Sequence, residues 1–303
     1  MRVKKASKDF SINDLPSNRK EVFFDCFKVR WSTLLKGGFL AFVFAIPYIV
    51  LLLSEDLNIS RLYQELSNGA ISEEEFISSK LSVLLVSNIL KTIASIFLSL
   101  GLAGLTRLIR QIAWEEPIFF RKDFFDGIRL NGGSFIIIIL FLSLIFNVAN
   151  FTQTALYQQR FLSSIPFGIG LIIVFPIALY NMASVNVYSN GFFTHTKNSI
   201  LFFLRTVPVS ALFILIFCIS FLPNLISNAL IKYLIIVLMY IILLPYYYLA
   251  FFLYASYNFD KYVNKKLYPE IYDKGIVRKD TLKAKGVSTD DLNEECNHNS
   301  KTK

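Results

Sequence analysis

Lys91 is the residue whose position in the sequence most needs a chemical explanation. It lies near the middle of an apolar block that spans residues 81–105. A charged side chain at membrane depth is costly, and it usually faces the interior of a helix bundle or a water-filled cavity. Lys91 could attract an anionic group there. Its long side chain could equally reach toward the nearer membrane surface, about 15 Å away, and bind nothing.

Polar residues around Lys91 and in the next two apolar blocks recur at three- and four-residue steps, which places them on one face of each helix. Such stripes could line a route for a solute. We favour hydrogen bonding between neighbouring helices, which contributes about 0.6 kcal/mol per bond. The residues predicted for a polar pathway are Asn88, Lys91, Ser95, Asn147, Asn150, Asn181 and Ser184.

Residues that could bind a metal or act as nucleophiles form no recognisable motif. His195 and His298 have no second His or Cys at ligand spacing, and the sequence contains no HExxH, no CxxC and no phosphate-binding loop. Cys218 has no neighbouring base to activate it. We therefore predict no catalytic residue, no metal and no cofactor, and we expect a protein that is not an enzyme.

The apolar residues are gathered into six blocks, each long enough to cross a bilayer. The chain has 303 residues, of which 54% are hydrophobic and 17% charged. A transmembrane helix needs about 20 mostly apolar residues. The predicted spans are 35–53, 81–105, 134–152, 165–188, 206–222 and 230–254. The sequence thus predicts an all-α polytopic membrane protein with six transmembrane helices.

No Asp or Glu lies inside these six ranges. Proton-coupled transporters usually need an intramembrane carboxylate or a His relay. The sequence therefore argues against a carboxylate-based proton antiporter.

Lys and Arg are distributed unevenly between the segments that flank the spans. The N-terminal segment, the connections 107–133 and 190–205 and the C-terminal tail carry 26 of them, whereas the three opposite connections carry four. Basic residues accumulate on the cytoplasmic side, so we predict a multi-pass protein of the plasma membrane with both termini in the cytoplasm. Orientation and anionic lipid then explain the net charge of +9, and no nucleic-acid partner is expected.

Three regions follow from this topology. They are a cytoplasmic segment with an amphipathic helix (1–32), a six-span domain (33–256) and a charged cytoplasmic tail (257–303), which we expect to be largely disordered. An external loop would cover 55–80 and a cytoplasmic loop 107–133. Aromatic residues at helical spacing precede the first, third and fifth spans, which is typical of helices in the headgroup region. This pattern indicates either three repeats of an interfacial helix plus a transmembrane hairpin, or a chance similarity.

Two segments resemble the YesL-like membrane proteins of Gram-positive bacteria, a family of unknown function. The segment LGLAGLTRLIRQIAWEEPIFFRKDFFDGIRLNGGSF ends a span with small residues and continues through a basic turn into an aromatic stretch. A later segment, in which a proline-bearing span leads to a Lys-Asn pair, is similar to the family's second recognisable stretch. The resemblance implies a bacterial plasma membrane and an association with carbohydrate uptake, but no reaction. The residues that fit are Gly101, Ala103, Gly104, Arg107, Phe124, Asn131, Pro176, Lys197 and Asn198.

Two functions from different classes are compatible with these features. One is an accessory or scaffold protein in the lipid bilayer that works with a transport-system or sensor protein, or as a homo-oligomer. The other is a permease or channel for a small polar or anionic solute, lined by the polar stripes of spans two to four with Lys91. Stripes that converge on one cavity would favour the permease. For the accessory protein, the expected cytoplasmic interaction surface contains Arg107, Arg110, Phe124, Asp126 and Arg129.

Overall fold

A computed structural model describes residues 16–156 and 158–276. All regular structure in these ranges is helical, and six of the helices are long and apolar enough to cross a membrane. The predicted all-α polytopic architecture is therefore confirmed. Residues 1–15 and 277–303, which include most of the predicted disordered tail, lie outside the described residues.

The helices follow one another with short connections. Six of them are the spans (α2 to α5, α7 and α8), and α1 and α6 are shorter helices that precede α2 and α7. Their bounds are α1 Arg19–Val29, α2 Trp31–Ser67, α3 Glu73–Ala113, α4 Phe120–Ala155, α5 Arg160–Val187, α6 Phe192–Arg205, α7 Val207–Leu225 and α8 Ala229–Leu267. Short π-helical segments interrupt α5 at Gly170–Val174 and α8 at Met239–Leu243 and Asp260–Asn264.

The first hairpin is much longer than its two predicted spans. Helices α2 and α3 contain 37 and 41 residues, which corresponds to about 55 and 60 Å at 1.5 Å per residue. The hydrocarbon core of a bilayer is only roughly 30 Å thick. The predicted external loop 55–80 is thus mostly helix. The chain reverses at residues 68–72, where Gly69 has a φ of 68° and Ser72 forms a capping box with Glu75.

The predicted cytoplasmic loop 107–133 is also mostly helix. Helix α3 continues to Ala113 and α4 begins at Phe120, so that residues 114–119 alone connect them. Gly127 lets the two helices approach closely, because a Cβ there would lie 2.8 Å from the carbonyl oxygen of Ala103. The aromatic segment before the third span therefore forms the first turns of α4 and packs against α3. The separate helix expected there is absent from the described residues, whereas α1 and α6 do precede the first and fifth spans.

The two ends of the bundle are held in different ways. We call the end where the ordered N- and C-terminal residues meet the terminal end, and the end with the α2–α3 turn the hairpin end. At the terminal end, Arg19 donates to the carbonyl oxygen of Lys274 at 2.7 Å and pairs with Asp260 at 2.8 Å. Lys274 also pairs with Glu116 at 2.6 Å. Residues 257–276 of the predicted tail are therefore ordered.

Large aromatic side chains fill the core toward the terminal end. Tyr180 of α5 lies edge-on to Phe251 of α8 with ring centroids 5.0 Å apart, and its hydroxyl is hydrogen-bonded to Thr206 Oγ1 at 2.7 Å. Tyrosine suits this place because its ring packs in the core while its hydroxyl finds a partner. These contacts join α5, α8 and the start of α7. The fully buried aromatic residues are Phe124, Phe135, Tyr180, Phe251, Phe252 and Phe259.

We expect Gly38→Ala to destabilise the bundle, because Gly38 lies where α2 crosses the π-helical segment of α8. A Cβ there would overlap the carbonyl oxygen of Ile241 and lie 2.7 Å from Cγ of Pro245. Overpacking of this kind costs about 1–3 kcal/mol. Unfolding of the purified protein in detergent micelles measures the loss. The matched control is Gly133→Ala in α4, where no atom lies within 4 Å and the free energy of unfolding should be unchanged or higher. Equal effects of the two substitutions would contradict the close contact.

Candidate functional site

Lys91 is paired with a carboxylate, Glu55, which the sequence analysis placed in an external loop. Lys91 Nζ of α3 lies 2.7 Å from Glu55 Oε2 of α2, and the two side chains are only 3% and 9% exposed. Glu55 is held there because α2 remains helical beyond the predicted end of the first span. Glu55 lies outside the predicted span 35–53 but belongs to the same helix and is buried against α3. A buried ion pair of this kind removes the need for Lys91 to attract an anion from outside.

Two further side chains complete the surroundings of Glu55. Ser87 Oγ of α3 donates to the same oxygen that contacts Lys91, and Asn150 Nδ2 of α4 donates to Oε1 at 3.4 Å. A buried carboxylate is stable only when its oxygens have such donors. Three helices thus converge on one acidic side chain near the hairpin end.

The adjacent turns of α3 and α4 are joined by two asparagines. Asn88 Nδ2 donates to the carbonyl oxygen of Asn147 at 3.2 Å, and Asn147 Nδ2 donates back to the carbonyl oxygen of Asn88 at 3.2 Å. Asn147 also donates to Thr92 Oγ1 at 2.9 Å. These hydrogen bonds extend the polar contacts from the Glu55–Lys91 pair toward the bundle centre. We call the whole set the polar cluster: Glu55, Ser87, Asn88, Lys91, Thr92, Ser143, Asn147 and Asn150.

Four of the seven residues predicted for a pathway belong to the polar cluster, and three do not. Ser95 is fully buried and donates to the carbonyl oxygen of Thr92 in its own helix. Asn181 Nδ2 of α5 donates to Thr196 Oγ1 of α6 at 3.0 Å. Ser184 Oγ is hydrogen-bonded to His195 Nδ1 of α6 at 2.7 Å. Asn181 and Ser184 therefore bond to α6 and Ser95 bonds within α3, so these three residues are not part of the polar cluster.

Asp56, the residue after Glu55, makes a second ion pair that the sequence analysis missed. Its carboxylate accepts from Lys232 Nζ and from the Tyr233 hydroxyl, the latter at 2.9 Å, and both donors lie in α8. Neighbouring residues on a helix point about 100° apart, so that Glu55 faces α3 and Asp56 faces α8. Two consecutive acids after an apolar run, together with one lysine in each of two later apolar blocks, are the sequence signal that could have revealed both pairs.

Two of the five residues of the predicted interaction surface, Phe124 and Arg110, make contacts within the bundle. Phe124 is fully buried, and its ring occupies the space beside Gly104 that a Cβ would need. Arg110 donates to the carbonyl oxygen of Asn186 at 3.1 Å and to Glu116 at 3.2 Å, which holds α3 against α5. These two side chains are structural because α3 and α4 pack closely at the terminal end. Arg107 and Asp126 are half-buried, and Arg129 is exposed.

A groove of about 1370 Å³ opens at the terminal end, between α1, α7 and α8. Its walls are aromatic and aliphatic, and its rim carries basic side chains. No residue of the polar cluster lines it, and neither does any residue of the predicted interaction surface. The groove is therefore separate from both predicted sites.

No family model, no curated protein and no solved structure matches the chain. The resemblance to the YesL-like proteins stays a prediction. Within the described ranges, no group of three or more His, Cys, Asp and Glu side chains is placed to hold a metal ion.

A double-mutant cycle on Glu55 and Lys91 tests the buried ion pair. Glu55→Gln and Lys91→Met each leave one buried charge without its partner, so each should lower the free energy of unfolding by about 3–5 kcal/mol. The double variant should recover most of the loss, because it contains neither charge. Unfolding in detergent micelles measures all three.

The matched control for this cycle is the exposed pair of Arg61 and Glu65, whose atoms lie 2.9 Å apart with Arg61 78% exposed. Arg61→Gln should change the free energy of unfolding by less than about 1 kcal/mol. If the losses of Glu55→Gln and Lys91→Met simply added in the double variant, the two residues would not be coupled.

The buried His195 should make the docking of α6 weaker in acid. Burial lowers the pKa of this imidazole below its usual value, and a hydrogen bond with the backbone of Asn190 only partly opposes this effect. Because the pKa is lower in the folded state, neutral His195 stabilises the fold above the unfolded-state pKa of about 6.5, and this stability is lost as the pH falls below it. Hydrogen-exchange protection factors of α6 should be smaller at pH 5 than at pH 7.5.

The variant His195→Gln keeps a hydrogen-bonding side chain and should flatten this pH dependence. Burial raises the pKa of Glu115, also at the terminal end. A raised carboxyl pKa stabilises the fold at low pH, so Glu115 would change stability in the opposite direction. Protection in α6 that increases on acidification would contradict the role given to His195.

Proposed function

We propose that the protein is a non-enzymatic accessory or scaffold component of a solute transport or envelope system, with carbohydrate as the solute class that the family resemblance implies. It would lie in the plasma membrane with both termini in the cytoplasm. The observation that carries the proposal is the pairing of the polar side chains: those predicted to line a pathway are bonded to neighbouring helices or to their own backbone.

The positions of these hydrogen bonds and ion pairs along the bundle argue against a permease. A permease needs polar groups along a continuous route across the membrane. Here the polar cluster holds α2, α3 and α4 near the hairpin end, and Ser184 holds α6 near the terminal end. Between these levels, Ser95 and Ser99 are fully buried and donate to carbonyl oxygens of α3 itself. Between the two levels, these two hydroxyl groups therefore bond within α3 and do not extend the polar cluster toward Ser184.

The charge at the two ends supports the proposed orientation. The turn of the first hairpin is followed by Glu73, Glu74 and Glu75 in the first turn of α3. The start of α4, at the other end, exposes basic side chains. Basic residues favour the cytoplasmic face, so the terminal end is the end we assign to the cytoplasm.

A partner would find exposed side chains at the start of α4. Phe119, Phe125 and Leu130 are 68%, 48% and 65% exposed, and Arg121 and Arg129 lie among them. Large apolar side chains beside arginines are typical of the centres of protein interfaces. We call these five residues the α4 surface, and we assign to it the contact with a transporter subunit or a sensor protein.

Affinity purification from native membranes in mild detergent, followed by mass spectrometry, tests the accessory function. We expect a stoichiometric partner with the wild type. The variant Phe125→Ser/Leu130→Ser should recover that partner at least tenfold less, because interface residues of this kind carry most of the binding energy. The matched control Leu85→Ser, an exposed leucine of α3 away from the α4 surface, should recover it normally. A partner recovered equally with both variants would contradict the assigned surface.

Solute flux into liposomes tests the competing permease. With radiolabelled sugars and inorganic anions, we expect no flux above that of empty liposomes. Flux that disappears in Glu55→Gln/Lys91→Met, the variant expected to stay folded, would contradict the accessory function and favour a pathway through the polar cluster.

A further inference from the structure

The groove at the terminal end exists because three helices leave the space between them unfilled. Helices α1 and α7 line its two sides, and the last turns of α8 form its floor. Three of its apolar side chains, Phe24, Leu212 and Tyr257, are 63%, 56% and 52% exposed, although they lie on the inner walls of the groove. Such a surface is stable in a membrane when a lipid chain covers it.

The rim of the groove is basic. Lys20 of α1 and Lys261 and Lys265 of α8 line it, and all three are exposed. Within the described ranges, none of the three forms an ion pair. Two acids, Asp260 and Asp273, also line the groove, but Asp260 is occupied by Arg19 at 2.8 Å. The three lysines therefore present a positive rim to a ligand.

The floor changes from apolar to basic along one face of α8. The residues that line it recur at three- and four-residue steps, which is the spacing of a single helical face. They are, from the inner end of the groove outward, Ala250, Leu253, Tyr254, Tyr257, Lys261 and Lys265, together with Asp260, which is paired with Arg19. From Ala250 to Lys265 the floor is about 22 Å long at 1.5 Å per residue. One leaflet with its headgroups is about 20 Å deep, so the length of the floor matches that of one phospholipid molecule.

We propose that this groove binds one anionic phospholipid from the leaflet at the terminal end. One acyl chain lies along Leu253 and Tyr257 of α8, between α1 and α7, and the phosphate lies among Lys20, Lys261 and Lys265. The length of the apolar floor selects a ligand with an acyl chain over a free anion. The positive rim selects an anionic headgroup over a zwitterionic one. The proposal does not depend on the partner or the solute of the proposed function.

Native mass spectrometry of the purified full-length protein tests the proposal. The protein is reconstituted in nanodiscs that contain equal amounts of phosphatidylglycerol and phosphatidylcholine, and it is released from them in the mass spectrometer. We expect one retained phosphatidylglycerol per chain. The variant Lys20→Gln/Lys261→Gln/Lys265→Gln should bind it ten- to a hundredfold more weakly, because each basic residue near the headgroups contributes to the attraction of an anionic lipid.

A matched control removes the same charge from the same end. Arg121, Lys122 and Arg129 are exposed at the start of α4, outside the groove. The variant Arg121→Gln/Lys122→Gln/Arg129→Gln should retain phosphatidylglycerol as the wild type does. Equal loss in the two triple variants would overturn the proposal, because it would show a general attraction between lipid and charge. Equal retention of phosphatidylcholine and phosphatidylglycerol by the wild type would overturn it as well.

A second variant distinguishes the contribution of the acyl chain to binding from that of the headgroup. Ala250→Phe fills the inner part of the floor and leaves the three lysines in place. It should lose the retained phosphatidylglycerol at least tenfold, whereas weak binding of water-soluble glycerol phosphate, measured by calorimetry, should not change. Normal helix content by circular dichroism and a monodisperse elution peak show that the variant is folded. If glycerol phosphate bound as tightly as the lipid, the groove would be a free-anion site and the proposal would be wrong.

Discussion

An ammonium group alone in the apolar interior of a helix bundle is destabilising by several kcal/mol, and Lys91 can lie there only if another helix brings a carboxylate to the same depth. Helix α2 does so because it stays helical through Glu55. The ion pair fixes how far α2 is displaced along α3 and which faces of the two helices meet. Ser87 and Asn150 then bond the same carboxylate, which brings α4 into the group. The arrangement of the first three spans thus depends on one acidic side chain.

Different forces hold the other end of the bundle. Close contacts at Gly38 and Gly127 bring helix backbones together, and small residues allow this kind of packing in membranes. Aromatic side chains fill the space between α5 and α8. Lys274 joins the chain end to the α3–α4 connection through Glu116 and lies over the ring of Trp114, 4.6 Å from its centroid. The hairpin end is therefore held by ionic and amide groups, and the terminal end by close packing together with the ion pairs of Arg19 and Lys274.

The sequence predicted the number and order of the spans because hydropathy reports which residues can contact lipid. It did not predict where the helices end, since the polar residues after 53 and those within 107–133 can form helix in water as readily as loop. Of the polar cluster, the asparagines and Lys91 were found from their spacing on a helical face. Glu55 was missed because its role depends on which helix lies beside it, and spacing along one chain segment does not contain that information. Phe124 and Arg110 were assigned to a surface for the same reason: their burial is a property of the packed bundle.

The two neighbouring acids of α2 also set an order of assembly. Glu55 can meet Lys91 as soon as the first hairpin has entered the membrane, because its partner is in the next helix of the chain. Asp56 must wait for Lys232, which lies 176 positions later in the last span. During synthesis, Asp56 thus stays without its partner until α8 is inserted. The arrival of the last helix completes the bundle, and a chain that stops short of α8 keeps a carboxylate without its lysine at the hairpin end.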